Sequence, residues 1–217
     1  MLELIRICSI WRSCMKTIGL TGGIGSGKSS VARWLKNIGY HVVDSDQLAR
    51  DVVEPGSEGL NELVSYFGTE ILTAQGVLDR KKLGQVVFDS PEKRKALEAI
   101  LHPKIFALQT EKIKVLGALG VEVVFIEAAL MVETGSYRFY NSLIVVYCSA
   151  ANQAARIMKR DGSTQEEAQT RINAQAPTVE KVKIADLAIE NNGTLADLHT
   201  KLDKELLPFI QNVIAQS

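Results

Sequence analysis

A glycine-rich segment near the start of the chain has the residue types and spacing of a loop that binds phosphate. Residues 22–29 read Gly-Gly-Ile-Gly-Ser-Gly-Lys-Ser, which fits the pattern G-x-x-x-x-G-K-S/T. Glycines let backbone N–H groups wrap around a phosphate, because they lack a Cβ and tolerate positive φ. Lys28 could then reach the β- and γ-phosphates, and the Ser29 hydroxyl could ligate Mg²⁺. The segment predicts that the chain binds a nucleoside triphosphate.

Two acidic residues, Asp44 and Asp46, follow the second predicted strand. Residues two apart on an extended segment point the same way, so both carboxylates could face the triphosphate. One could hold Mg²⁺ through water, and the other could accept the proton of an attacking hydroxyl group. The alternative is that both acids cap a helix predicted to begin near Gln47. On position alone, both interpretations of Asp46 stay open.

A third group of candidate residues is basic. Lys159 and Arg160 follow Arg156 at spacings of three and four residues, so the three share a face of the helix predicted there. Phosphoryl transfer needs positive charge beyond Lys28, to neutralise charge on the transferred oxygens. Because a turn follows Arg160, this helix and the next could form a mobile lid over the nucleotide. The alternative is a solvated basic face.

Short apolar strands alternate with helical segments along the chain. Their composition predicts strands at 16–20, 41–43, 121–126, 142–148 and 187–190, and helices at 30–38, 150–160, 165–175 and 195–215. Such alternation predicts a parallel sheet covered on both faces. Ligands bind at the carboxyl ends of the strands in such sheets. We therefore expect the phosphate loop, Asp44 and Asp46, the segment after Ile126 and residues 191–193 to form one site.

The 217 residues suit a single α/β domain, which we assign to residues 15–217. Residues 47–117 read as helical, with breaks at 54–56 and 75–76, and are predicted to form an insertion beside the sheet. Residues 150–176 are the predicted lid, and 194–217 the predicted C-terminal helix. Residues 1–14 differ in character and are expected to be an N-terminal extension without function.

The composition excludes several classes of protein. Lys plus Arg (25) equals Asp plus Glu (25), so no global field favours nucleic acid or an anionic membrane surface. No apolar run approaches the ~18 residues that suggest a membrane-spanning helix. The three cysteines form no C-x-x-C pair, and such usage suits a reducing cytoplasm. We expect a cytoplasmic protein whose partner is a small molecule.

Many short motifs of the chain, taken in order, resemble those of the dephospho-coenzyme A kinases. The similarity begins in the phosphate loop, with the run Leu-Thr-Gly-Gly-Ile-Gly-Ser-Gly-Lys, and spans about residues 16 to 209. It includes the motifs at 43–46, 49–50, 53–56, 67–68, 78–80, 101–103, 160–161, 171–172, 175, 185–186 and 191–193.

This resemblance implies a P-loop kinase fold of three layers, α/β/α, with a mainly parallel sheet, a helical substrate-binding insertion and a helical lid. It also implies an enzyme that transfers the γ-phosphate of ATP, with Mg²⁺, to the ribose 3′-hydroxyl of dephospho-coenzyme A. That reaction gives coenzyme A and ADP in the last step of coenzyme A synthesis. No nucleic-acid or membrane partner is expected, and the chain is expected to act as a monomer or weak homo-oligomer.

The resemblance also assigns roles to residues, by group. Those implied in catalysis are Asp46 as the base, Lys28, Arg156 and Arg160. Those implied to bind ATP are Gly23, Ile24, Gly25, Ser26, Gly27, Lys28, Ser29, Ser30, Asn191, Asn192 and Gly193, with Ser29 on the metal. Those implied to hold dephospho-coenzyme A are Asp46, Arg80, His102 and Glu133. Taken alone, His102 before Pro103 would be structural, with the proline fixing a turn or a helix start.

The chain departs from the family pattern after the third predicted strand. Where the family has Pro-Leu-Leu, this chain has Ala129-Leu-Met, so a backbone N–H is regained and φ is freed. Glu127, at the end of the strand, is an additional acid without an assigned role, and Ser45 replaces an alanine. None of these changes removes a group that the chemistry requires.

Three alternative functions are compatible with a phosphate loop and differ in the other motifs that they require. A nucleoside monophosphate kinase would share the loop, the lid and the sheet. A regulatory GTPase should carry an Asn-Lys-x-Asp guanine-binding motif, which the sequence lacks. An inactive nucleotide-binding protein is disfavoured, since Lys28, Ser29 and Asp46 are all present.

Overall fold

The computed structural model describes residues 15–88 and 90–216. The predicted extension at 1–14 lies outside these residues. The described chain divides into two compact units. The first contains the residues up to Val43 and those from Leu116 onward, and the second is Asp44–Val115.

A five-stranded sheet is the centre of the first unit. Its strands are β1 (Lys16–Gly22), β2 (His41–Asp44), β3 (Val123–Glu127), β4 (Ser142–Tyr147) and β5 (Leu187–Glu190), in the order β2-β3-β1-β4-β5. β1 runs parallel to both β3 and β4, and β4 runs parallel to β5. Ile18 on β1 lies opposite Phe125 on one side and Ser142 on the other. The predicted α/β fold with a mainly parallel sheet is confirmed.

The described residues also contain ten α-helices, in the two units together. They are α1 (Lys28–Asn37), α2 (Ser45–Asp51), α3 (Glu58–Phe67), α4 (Arg80–Phe88), α5 (Pro91–Ala118), α6 (Ala150–Asp161), α7 (Gln165–Asn173), α8 (Thr178–Lys183), α9 (Leu195–Lys201) and α10 (Leu207–Ala215). Short 3₁₀ turns occur at Thr69–Ile71 and Ser136–Phe139, and a π-helical segment, Leu202–Leu206, joins α9 to α10. Within the described residues, no helix is both long and apolar enough to cross a membrane.

The core of the first unit packs helices onto the sheet. Ile18, Phe125 and Ile144 from three strands are fully buried together with Leu35 of α1 and Ile210 of α10. Burying such a side chain contributes about 1.5–3 kcal/mol relative to leaving it exposed. This packing fixes the carboxyl ends of the central strands, and so fixes the loops that follow them.

The second unit has an apolar core of its own. Leu63 and Ile71 are fully buried there. The long helix α5 continues through Pro103, so the expectation that Pro103 marks a turn or helix start is wrong. An interior proline costs about 3 kcal/mol, and the apolar residues on either side, including Leu101 and Ile105, pack against this core and offset that cost.

The other differences from prediction lie at short or polar segments. The predicted helical stretch after residue 47 breaks at Ser90 as well as at the two expected places. The six-residue helix α8 was not predicted, because it is too short to show an apolar repeat. The π-helical segment interrupts the terminal helix, which sequence periodicity does not reveal.

Candidate active site

The glycine-rich segment forms a loop between the end of β1 and the start of α1. Gly25 and Gly27 have φ of +75° and +98°, a left-handed conformation that side chains disfavour. A Cβ on Gly22 would collide with the carbonyl oxygen of Val146. The loop leads into the N-terminus of α1, where unpaired N–H groups and the helix dipole favour an anion.

Ser26 in this loop has a buried hydroxyl that is left unpaired. The residue is 1% exposed, and within the described ranges its Oγ has no hydrogen-bond partner. Leaving a buried polar atom unpaired costs about 1–3 kcal/mol. The hydroxyl therefore fits a site completed by a ligand with acceptor oxygens, such as a phosphate.

Lys28 forms an ion pair with Glu127, the acid to which the sequence analysis gave no role. Its Nζ lies 2.6 Å from Oε1 of Glu127, and the two side chains are only 11% and 6% exposed. Glu127 ends β3, the neighbour of β1 in the sheet. The carboxylate thus supplies the counter-charge of the phosphate-loop lysine.

The segment 191–193 contacts both the phosphate loop and the start of the predicted lid. The Asn191 side chain is buried and donates from Nδ2 to the Ser26 carbonyl at 2.8 Å. Asn192 accepts at Oδ1 from the backbone N–H of Ser149, 2.8 Å away, at the N-cap of α6. Gly193 lies beside Asp197, which forms a capping box with Thr194, the N-cap residue of α9.

The two arginines of α6 have different partners. Arg156 donates to the carbonyl oxygens of Gly25 (3.3 Å), Ser26 (3.2 Å) and Asn191 (2.9 Å). It therefore ties the phosphate loop to the segment after β5.

Arg160, one turn further along α6, binds its neighbour Asp161 through two hydrogen bonds of 2.7 and 2.9 Å. Arg171 on α7 also contacts Asp161, at 2.6 Å. The hydrogen bonds from Arg160, with the nearby charge of Arg171, hold the pKa of Asp161 below its ordinary value. This carboxylate links the two helices of the predicted lid.

Two glutamines that were not among the predicted site residues both contact Ile24 of the phosphate loop. The Ile24 N–H donates to Oε1 of Gln175 at 2.7 Å, and Nε2 of Gln153 donates to the Ile24 carbonyl at 3.0 Å. Gln153, on α6, is 4% exposed. Gln175 belongs to the motifs that carry the resemblance, but neither residue type nor spacing indicated these contacts.

Glu133 has two partners near Gln175. Its Oε1 lies 2.7 Å from Nζ of Lys181, whose side chain is 1% exposed, and it accepts a hydrogen bond from the Ala176 N–H at 2.9 Å. Burial alone would raise the pKa of Glu133, but Lys181 and the Ala176 amide outweigh it and hold that pKa below its ordinary value.

The remaining candidates belong to the second unit. Asp44 caps α2 by accepting from the Gln47 N–H at 3.0 Å. Asp46 lies exposed in the first turn of α2. The helix begins at Ser45 rather than near Gln47, so the expectation that both acids lie on one extended segment is wrong. A capping side chain at Asp44 stabilises this earlier start.

Arg80 begins α4 and donates to the Ala49 carbonyl at 3.4 Å. It lines an otherwise apolar cavity of about 200 Å³ in the second unit. His102 lies exposed on α5. In the first unit, the Ala129 carbonyl accepts from the Thr21 hydroxyl at 3.4 Å.

Comparison with known proteins gives a consistent result. The family model described as CoaE, dephospho-CoA kinase, matches residues 16–197. The dephospho-CoA kinase of Listeria monocytogenes is 41% identical over 92% of this chain and 98% of its own length. That of Arabidopsis thaliana is 42% identical over 89% of this chain and 83% of its own.

Solved structures agree with the sequence relatives. The crystal structure of TT1252 from Thermus thermophilus superimposes with a TM-score of 0.77 at 37% identity, covering 88% of this chain and 96% of that one. The dephospho-CoA kinase from Campylobacter jejuni gives a TM-score of 0.67 at 30% identity, with coverage of 92% and 98%.

Proposed function

The chain belongs to the dephospho-CoA kinase family, and from this premise we propose how its residues bind the substrates and catalyse the reaction. As a member, it is a kinase of the last step of coenzyme A synthesis. The γ-phosphoryl group of ATP is transferred to the ribose 3′-hydroxyl of dephospho-coenzyme A. The observation that carries this proposal is the phosphate loop, with its two left-handed glycines and its unpaired, buried Ser26 hydroxyl.

The loop residues Gly23 to Ser30 hold the triphosphate of ATP. Backbone N–H groups and the start of α1 supply the positive field, and Ser26 gains an acceptor. Lys28 leaves Glu127 for the β- and γ-phosphates, so that a buried ammonium exchanges one anionic partner for another. The segment 191–193 shapes the adenine pocket, a role taken from the resemblance and supported by its bond to the loop.

Mg²⁺ fits this site through Ser29, the first residue after the loop lysine. The described residues contain no group of three or more His, Cys, Asp or Glu that could hold a metal by themselves. Mg²⁺ prefers few protein ligands together with substrate phosphates and water, which matches one exposed hydroxyl beside a triphosphate. The ion would supply neutralisation of charge on the phosphate oxygens.

Asp46 acts as the base. It accepts the proton of the 3′-hydroxyl while that oxygen bonds to the γ-phosphorus and the bond from phosphorus to the β–γ bridging oxygen breaks, releasing ADP. The exposed position of Asp46 leaves its carboxylate accessible to a substrate. Arg80 and His102 help to hold dephospho-coenzyme A, and the cavity beside Arg80 supports its assignment.

Arg156 and Arg160 provide positive charge from the lid. Arg160 must exchange Asp161 for phosphate oxygens to do so, since its guanidinium is bound to that carboxylate. Arg156 acts close to the loop, where it already holds the carbonyls of Gly25 and Ser26. Glu133 was assigned to the acceptor from the resemblance, and its contacts with Lys181 and Ala176 favour an indirect role, considered below.

A panel of phosphoryl acceptors tests this function. The protein is incubated with ATP, Mg²⁺ and either dephospho-coenzyme A or one of the nucleoside monophosphates, and the products are identified by mass spectrometry and ³¹P NMR. We expect a phosphomonoester on the ribose 3′-oxygen of dephospho-coenzyme A. Transfer to nucleoside monophosphates instead would identify a different kinase of the same fold.

A further inference from the structure

We propose that Gln175 is a positioning residue of the phosphate loop, and that Glu133 holds it in place from the loop after β3. The proposal rests on the binding of ATP described above. It concerns residues 174–177, the connection between α7 and α8, which we call the strap. Gln175 acts through the Ile24 backbone and not by touching the nucleotide.

Both backbone polar groups of Ile24 are held by side chains from outside the loop. Its N–H is bound by Gln175 and its carbonyl by Gln153, at 2.7 and 3.0 Å. With both polar groups of one residue fixed, the peptide planes on either side of Ile24 have little freedom to rotate. The Ser26 N–H bonds to the Gly23 carbonyl at 3.0 Å, and the other N–H groups from Gly25 to Ser29 are those that the motif turns toward phosphate.

The glycine that precedes Ile24 supports this fixed geometry. A Cβ on Gly23 would lie 2.5 Å from Nε2 of Gln153 and 3.7 Å from Oε1 of Gln175. The two amides therefore approach the loop as closely as a backbone without a side chain allows. The loop has to be pre-arranged from outside, since glycine has the most conformational freedom to lose.

The strap itself is anchored by Glu133. Next to Gln175, the Ala176 N–H donates to Glu133, and the same carboxylate oxygen is 2.7 Å from the buried Lys181 on α8. Glu133 thus holds the chain on both sides of Pro177, at Ala176 in the strap and at Lys181 in α8. A buried ammonium needs its counter-charge, so this anchor resists displacement.

These contacts form a continuous chain from Glu133 through the strap to Ile24. Pre-arrangement lowers the entropic cost of binding, so losing it weakens the binding of ATP. It leaves the acceptor and the chemical step largely unchanged. A residue needed only for folding would instead lower the active fraction, which reduces kcat and leaves KM unchanged.

The test is steady-state kinetics of Gln175→Met, which keeps the length of the side chain and removes its acceptor oxygen. We expect KM for ATP to rise about tenfold, as loss of one hydrogen bond of ordinary strength allows, with kcat within about twofold of wild type. The control is Gln169→Ala on α7, whose Nε2 bonds to Asn173 of its own helix, and which should leave KM unchanged. A KM for ATP within twofold of wild type in Gln175→Met would overturn the proposal.

Glu133→Gln is the second variant, because it distinguishes the two roles considered for Glu133. If Glu133 acts through the strap, KM for ATP rises about threefold or more and KM for dephospho-coenzyme A stays constant. A rise confined to KM for dephospho-coenzyme A would place Glu133 on the acceptor and contradict the proposal. Failure of the wild-type protein to bind ATP in calorimetry would contradict the proposed function itself, which keeps the two failures distinct.

Discussion

At the scale of single residues, the pairing of Lys28 with Glu127 explains how a buried ammonium is tolerated before ATP arrives. At 2.6 Å, with both side chains almost fully buried, neither charge is exposed without compensation. In the proposed binding of ATP, the triphosphate competes with Glu127 for Lys28. On this proposal, Glu127, the acid that the family pattern left without a role, lowers the affinity for the nucleotide.

Glu127→Gln should bind metal-free ATP about tenfold more tightly, or ~1.4 kcal/mol. The reason is that the carboxylate both competes for Lys28 and repels the triphosphate. Calorimetric titration with ATP in the presence of EDTA measures the effect. Lys28→Met should lose binding, and Glu122→Gln, an exposed acid just before β3, should match wild type. Equal or weaker binding by Glu127→Gln would show that the pair does not oppose ATP.

Contacts between residues that are close in sequence could be predicted, whereas contacts between distant residues could not. The phosphate loop is a local motif, so its eight residues were enough to predict its conformation and ligand. The Lys28–Glu127 pair joins residues 99 apart in the chain, and the Ile24–Gln175 bond joins residues 151 apart. No spacing rule connects such residues before the sheet order is known.

At the scale of elements, α6 holds the phosphate loop and the segment after β5 together through Arg156. Three backbone carbonyls share this one guanidinium. The planar fork of arginine can serve several acceptors at once, whereas the ammonium of lysine is a compact point charge.

Arg156→Lys should therefore lower kcat/KM for ATP about tenfold or more, since part of this network is lost. Initial-rate measurements with varied ATP would show it. The control is Lys159→Met on the exposed part of the same helix, which tests whether loss of any positive charge on α6 has the same effect. A general field would give the reverse result, since Arg156→Lys keeps its positive charge: activity near wild type for Arg156→Lys and a loss for Lys159→Met would contradict the specific network.

The anchor between Glu133 and Lys181 should contribute stability that depends on pH. Since the pKa of Glu133 is held below its ordinary 4.5, the contribution is fully present above that pH and is lost as pH falls through the lowered pKa. Glu133→Gln should cost about 2 kcal/mol at pH 7, because Lys181 stays buried without its counter-charge.

Urea unfolding of wild type and Glu133→Gln between pH 3 and 7 measures this contribution, and the difference should shrink below about pH 4.5. Glu62→Gln is the control, since Glu62 is 46% exposed in its pair with Lys104 and exposed pairs contribute less than about 1 kcal/mol. A difference that does not vary with pH would contradict the assigned ion pair.

Sequence patterns predicted the strands well but missed two features of the helices. Short apolar runs, rich in β-branched residues in the third and fourth strands, predicted all five strands within about two residues at each end, because burial between helices demands such residues. The proline of α5 and the short helix α8 were missed, since the first is tolerated only through packing. The second has six residues, too few for an apolar repeat to be recognised.

At the scale of the whole molecule, the chain consists of two units with separate apolar cores. The sheet unit carries the residues proposed for ATP, and Asp44–Val115 carries Asp46, Arg80 and His102. The order of many short motifs, rather than any one of them, linked these groups to one reaction. The family match over residues 16–197 accords with that inference.

The most direct test of this account is the turnover of Asp46→Asn with ATP and dephospho-coenzyme A, measured beside its binding of ATP. The matched control is Asp44→Asn, because asparagine caps a helix about as well as aspartate, so this variant should keep most activity. We predict that Asp46→Asn binds ATP as wild type does and loses at least about 10²-fold in kcat, as removal of a general base does. Full activity of Asp46→Asn would contradict the base assignment, and absence of activity in the wild type would contradict the proposed reaction.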